Sequence, residues 1–217
     1  MSESHGVHRR VAPIGDPVQG SADRGGEATR VTTGRGSSVE GRVIDNPISG
    51  ERIVIHESGV QNGGQLLAFD LFLPPGGHVP ARHVHPVQEE RFTVIAGRMR
   101  FRLGRRTILA SPGETVLVPA GAAHWFANAG HEVSHARVEV RPALRTEELF
   151  VATEAMGRRG HFPGTRLPRP SDLAVVLLEF QRELAVPNVP SILVRALLTP
   201  LAWLGSRRGH DRNEPVQ

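Results

Sequence analysis

The sequence predicts a mainly β domain, a sandwich or barrel, followed by about three α-helices. Three observations carry this. Between residues about 40 and 141, short runs of alternating apolar and polar residues are separated by Gly, Pro and Asn turns. Beyond residue 142 the runs lengthen and take a helical period. The first 38 residues show neither pattern. Many short, regularly punctuated strands are the mark of a closed β architecture.

In chain order, residues 1–38 are rich in Gly, Ser, Arg and Pro and are expected to be disordered, because they offer little apolar surface to offset the entropy of ordering. The strand candidates are "RIVIHE", "QLLAFDLFL", "ERFTVIA", "RMRFRL", "RTILA", "TVLVP", "HWFAN" and "HARVEV", with turns such as "NPISG", "PPGG", "SPGE", "PAGA" and "NAG" between them. In "RMRFRL", Met99, Phe101 and Leu103 share one face and Arg98, Arg100 and Arg102 the other, the period of a half-buried strand. The β domain is expected over 39–141, a helical extension over 142–205 and a polar tail over 206–217. The helix candidates are "TEELFVATEAM", "SDLAVVLLEFQREL" with Ser171 as N-cap, and "PSILVRALLTPLAWL" opening at Pro190. The second is apolar almost all round from Leu173 to Leu178, so it needs cover on more than one side.

Composition removes whole classes of chemistry. With no Cys among 217 residues there is no thiolate nucleophile, no disulfide and no Cys-ligated zinc. All 26 basic residues are Arg, so no lysine Schiff base can form, and without Tyr there is no phenolic acid or base. His, Asp, Glu and Arg remain. The net charge of +4 is spread along the chain without a basic stripe interleaved with aromatics, which argues against nucleic-acid binding. No apolar run has the length of a membrane span and the N-terminal residues have no apolar core of a secretory signal, so a soluble, cytoplasmic protein is expected.

The chemistry concentrates in "HVHPVQEE", His83–Glu90. In isolation this is as well read as a polar surface turn. In a strand, His83 and His85 face one way, Pro86 ends the ladder, and "ERFTVIA" returns with Glu90, Phe92 and Val94 on one face and Glu89 with Arg91 on the solvated one. A carboxylate on an otherwise apolar face must be paired or bind a cation. Downstream, the "PAGA" turn precedes His124, which shares a face with Phe126. Three imidazole nitrogens and a carboxylate oxygen suit one divalent transition metal: Fe, Mn, Ni, Co or Zn. Of the other histidines, His78 and His135 are expected to be structural or solvated. His56 alternates with Val54 and could face the pocket, or sit as a satisfied core histidine. Phe69, Phe92, Met99, Phe101 and Phe126 are candidates for core or pocket wall.

The spacing of these residues resembles the cupin superfamily, whose fold is a jelly roll or double-stranded β-helix. Gly77, five residues, His83, one residue, His85, four residues, Glu90, six residues and Gly97 match its first motif. Gly113, five residues, Pro119, one residue, Gly121, two residues, His124, three residues and Asn128 match its second. Fifteen residues, 98–112, separate the two motifs. The resemblance spans roughly residues 40–141 and implies that His83, His85, Glu90 and His124 bind the metal, while the glycines, Pro119 and Asn128 shape turns. The C-terminal helices, apolar from Leu173 to Leu178 and from Ile192 to Leu204, are expected to cover a sheet of the barrel or to help build a homodimer, to which the resemblance also points, or alternatively to lie on a membrane surface. Function must be argued from the site. Dioxygenase-type oxidation of a small, largely apolar molecule, with Glu90 as base if it can leave the metal, stands first. Beside it stand non-redox cyclisation or isomerisation of a polyketide-like substrate, and metabolite binding without turnover.

Overall fold

Alternation along the strands is what closes the barrel. The computed structural model describes residues 42–79, 81–159 and 168–210, with backbone only for 204–210; all belong to the unit Val39–Gln217. The expectation of disorder for residues 1–38 therefore falls outside the described residues. One antiparallel sheet has six strands in the order β1 (Val43–Asp45), β2 (Arg52–Glu57), β3 (Leu67–Leu73), β9 (Ser134–Arg141), β4 (Glu89–Ala96) and β7 (Thr115–Val118). The second has three: β6 (Arg106–Ala110), β5 (Met99–Leu103) and β8 (His124–Asn128). Alternate residues along most of β4, β5, β7 and β9 are buried: Glu90, Phe92 and Val94; Met99 and Phe101; Val116 and Val118; Ser134, Ala136, Val138 and Val140. These side chains fill one core between the sheets, joined by Ile53, Ile55, Phe69 and Leu71. Strand β1 has no counterpart among the expected runs, because three residues are too few to show alternation.

Three helices follow: α1 (Thr146–Arg158), α2 (Pro170–Glu179) and α3 (Ser191–His210). Phe150 of α1 meets Phe69 edge-on at 5.1 Å, which docks the helix on the barrel. Leu149 and Met156 of α1 and Val176 and Phe180 at α2 form a second, smaller core. Helix α2 also packs on α3, so it has cover on two sides, as its all-round apolar surface requires.

The structure corrects the sequence reading at three helix boundaries. Ser171 is not the N-cap of α2: Arg169 takes that position without a side-chain hydrogen bond, and Pro170 occupies the first turn, where a missing N–H costs nothing. Helix α2 ends at Glu179 rather than running to Leu184. The chain leaves the helix because Ala185 pairs with Val84 across the barrel rim, N–H to carbonyl in both directions at 2.8 and 3.0 Å. Helix α3 continues through Pro200 to His210, past the expected start of the tail at 206. Much of α3 stays open, with Ile192 73 % and Leu197 69 % exposed. No described helix is long and apolar enough to cross a membrane.

His56 is a further correction. Ile53 and Ile55 point into the core, so His56 lies on the outer face of the six-stranded sheet and faces no pocket. There its Nε2 sits 2.8 Å from Asp70 Oδ2. Arg137 donates from Nε to the other oxygen, Oδ1, at 2.6 Å, and His135 Nε2 lies 3.4 Å from it. His135 stacks on Phe72 with centroids 4.3 Å apart. Burial pushes the Asp70 carboxyl up, but the hydrogen bonds from Arg137 and His56, the Arg137 charge and His135 outweigh it and hold it at about 2.

A carboxyl depressed by folding contributes stability above its unfolded pKa and loses it as pH falls through the folded one. Asp70→Asn should therefore lower unfolding free energy at pH 7 by roughly 1–2 kcal/mol. Chemical denaturation should show that difference shrinking as pH falls below about 4, the ordinary aspartate range. A difference that is constant with pH contradicts this role.

Candidate metal centre

The two motifs meet because the two sheets do. Glu90 lies inside the six-stranded sheet, paired to Val140 of β9 on one side and Val118 of β7 on the other. His124 opens β8 in the three-stranded sheet, opposite Leu103. His83 and His85 lie on the connection between β3 and β4. This connection is not the regular strand the sequence suggests, but a pair of isolated bridges, His83 to His124 and Val84 to Ala185. The His83–His124 pair exchanges both main-chain hydrogen bonds, at 3.0 and 2.9 Å. His85 is held at its carbonyl by the Gly121 N–H at 2.8 Å. Gly121 sits at φ 75°, a left-handed turn that suits glycine.

One ligand atom from each of His83, His85, Glu90 and His124 lies within 4.8 Å of the others. His85, Glu90 and His124 are buried, and His83 is half-buried. Each imidazole turns Nδ1 to a main-chain carbonyl: His83 to Ala81 at 3.0 Å, His124 to Ala122 at 3.1 Å, and His85 to Glu183. A carbonyl only accepts, so Nδ1 carries a proton on all three rings, and Nε2 is the nitrogen left to bind an ion. Nε2 of His124 and His85 stand 2.9 and 3.4 Å from Glu90 Oε2. Neither contact has hydrogen-bonding geometry, and all three atoms are buried without a hydrogen-bond partner.

The electrostatics prepare the same atoms. Burial, then the neighbouring His124 and His85, hold His83 down to about 3, against the pull of Glu90. Burial pushes the Glu90 carboxyl up, but His85, His124 and His83 outweigh it and bring it to about 2. Metal binding requires neutral imidazoles beside an ionised carboxylate, and His83 and Glu90 meet that requirement. Convergent, orphaned buried donors of this type could hold one divalent cation, and the residues fit the group.

The remaining motif positions act as scaffold. Asn128 donates to the carbonyls of Leu73 and Glu132 at 2.9 and 2.7 Å and accepts from the Gly130 N–H at 2.7 Å. Gly97 has φ 72°, and a Cβ there would stand 2.8 Å from Ser134 Cα, so the β4–β5 turn needs glycine. Phe92, Phe101 and Phe126 form one ring cluster with centroids 5.1–6.2 Å apart, beside the fully buried Met99. Phe92 and Phe126 share strand faces with Glu90 and His124, so the cluster adjoins the four ligands. Phe69 packs instead against Phe150 of α1. His78 is exposed in its loop, with Nδ1 on the Val79 carbonyl.

Two residues of the site's support escaped the sequence reading. Gln88 is fully buried, and its Nε2 reaches the carbonyls of Pro142 and Ala143 and the Thr146 hydroxyl at 2.7–3.1 Å. It ties the ligand loop to the start of α1. The signal was a Gln beside two Glu, which reads as solvated. Glu183 acts on His85 through its main chain, which has no side-chain signature.

Residues 70–139 match the family model described as "Cupin domain". A predicted oxalate decarboxylase from Thermotoga maritima is 19 % identical, with 50 % of this chain covering 96 % of that one at a TM-score of 0.43. KdgF from Halomonas sp. is 18 % identical, with 43 % covering 79 % at 0.39. The Cnp3 cupin domain from Schizosaccharomyces pombe is 16 % identical, with 62 % covering 86 % at 0.42. No curated protein sequence matches the chain.

Glu90→Gln should cut bound metal sharply, and Glu89→Ala, on the outward face of β4, should leave it unchanged. Metal analysis after dialysis against a divalent ion reads both. The reverse pattern would mean that β4 is shifted by one residue.

Proposed function

Proceeding from the cupin domain at residues 70–139, we propose that His83, His85, Glu90 and His124 hold one divalent transition metal. The protein acts with it on a small, largely apolar organic molecule, by dioxygenase-type oxidation. The observation that carries this reading is the convergence of four donor atoms within 4.8 Å, three of them buried without a hydrogen-bond partner. When bound, such an ion supplies Lewis acidity and, if redox-active, electrons for dioxygen. On an ion that takes five or six ligands, the four side chains would leave room for a substrate.

The chain's own residues set what can enter and react. Phe92, Phe101 and Phe126 lie in the core beside the four ligands, and as an apolar wall they would favour aromatic or aliphatic substrates over sugar phosphates. The half-buried His83 marks the side nearest solvent. Glu90, held well below the usual carboxylate range by the surrounding histidines, is ionised and a weak proton acceptor as it stands. Its use as a base requires that it first leave the metal.

The protein loaded in turn with Fe, Mn, Ni, Co and Zn, and offered small aromatic and enolisable substrates, should take up dioxygen with one of the redox-active ions and not with Zn. Product formation without oxygen uptake contradicts oxidation and points to cyclisation or isomerisation. Ligand binding without any product points to a metabolite-binding cupin.

We also propose that the chain works as a homodimer through α3. Burying one Leu is worth roughly 1.5–3 kcal/mol, and Ile192, Leu193, Leu197 and Trp203 are each more than half exposed. Light scattering should give twice the 23.6 kDa chain mass, falling to the monomer in an Ile192→Asp, Leu197→Asp double variant. A monomeric wild type that pellets with anionic vesicles contradicts the dimer and favours a membrane surface.

A further inference from the structure

The three histidines are not oriented alike. His83 and His124 each give Nδ1–H to a carbonyl two residues back, Ala81 and Ala122, so their own loops fix them. His85 gives Nδ1–H to Glu183, 98 residues away in the turn after α2. That turn is built to stay in place. Ala185 and Val84 exchange main-chain hydrogen bonds at 2.8 and 3.0 Å, next to His85. The Glu183 side chain, 3 % exposed, accepts from the Arg145 N–H at 3.2 Å. Arg145 in turn bonds Glu148 of α1 at 2.6 Å and Glu179 of α2 at 2.9 Å, and its guanidinium lies 4.8 Å from the Phe180 ring centre.

We propose that residues 180–185 form a strap that completes the metal centre, with the Glu183 carbonyl as the positioning group that keeps His85 in the Nδ1–H form and aims its Nε2 at the ion. This rests on the four-ligand reading above and gives the helical extension a role in the site itself. Without the strap, His85 is free to rotate or to change tautomer, and one of three nitrogen ligands loses its preorganisation. Groups that orient a ligating histidine through its second nitrogen typically govern metal affinity about 10–100-fold.

The test uses the full-length chain and Co(II), read by affinity and by the visible ligand-field spectrum. Ala185→Pro removes the N–H that holds the strap to Val84. Glu183→Ala removes the anchor on the Arg145 N–H, and Glu183→Gln retains an acceptor there. Ala185→Pro and Glu183→Ala should bind Co(II) about 10–100-fold more weakly, with an altered spectrum, and Glu183→Gln should restore both. If Ala185→Pro does not fold, the Glu183 pair decides alone. Wild-type affinity and spectrum in Glu183→Ala overturn the strap and leave the metal reading intact. A wild type that binds no Co(II) overturns both.

Discussion

A buried carboxylate governs this structure. Glu90 lies between two strands of one sheet, and its Oε2 faces Nε2 of His124 from the other. Water does not reach that oxygen, and no hydrogen bond satisfies it. A buried anion is costly unless positive charge faces it, from a protonated imidazole or from a bound cation. Most of the barrel closes on apolar side chains, but at this seam two motifs must arrive in register and bring compatible charge. The main-chain exchange between His83 and His124 is the stitch that sets that register.

The outer parts of the fold follow from the same seam. Gln88 anchors the ligand loop to the start of α1, and α1 seats Phe150 against Phe69 of the barrel. Arg145 joins that helix to α2, and the turn after α2 returns to Val84 and His85. The helices are thus linked to the ligands by a short chain of hydrogen bonds. On the opposite face of the six-stranded sheet, Asp70 gathers His56, His135 and Arg137 around a second carboxylate. There an arginine supplies the positive charge, which is why that group of residues is an ion-pair network and not a metal site.

Much of the barrel was legible because its strands alternate and its turns carry Gly, Pro or Asn. The runs "RIVIHE", "RTILA" and "HWFAN" coincide with β2, β6 and β8. The four ligand candidates could be read from spacing, His83 and His85 as alternate residues and Glu90 and His124 as polar residues in apolar faces, and the structure brings them together. What was not legible depends on partners far away in sequence. The end of α2 is set by pairing with Val84, against the helical preference of "QREL". His56 is a different case: the phase of its strand is set locally, by the alternate Ile53 and Ile55 that take the buried face. Gln88 is buried by a helix that begins 58 residues later.

The central claim is that one metal ion sits among these four side chains. The most direct measurement is anomalous X-ray diffraction from crystals grown with Co(II) or Zn(II), collected on both sides of the metal's absorption edge. The account predicts one strong anomalous peak about 2.0–2.2 Å from Nε2 of His83, His85 and His124 and from a Glu90 oxygen. A metal-saturated crystal with no peak among these residues, or with its peak elsewhere, would contradict it.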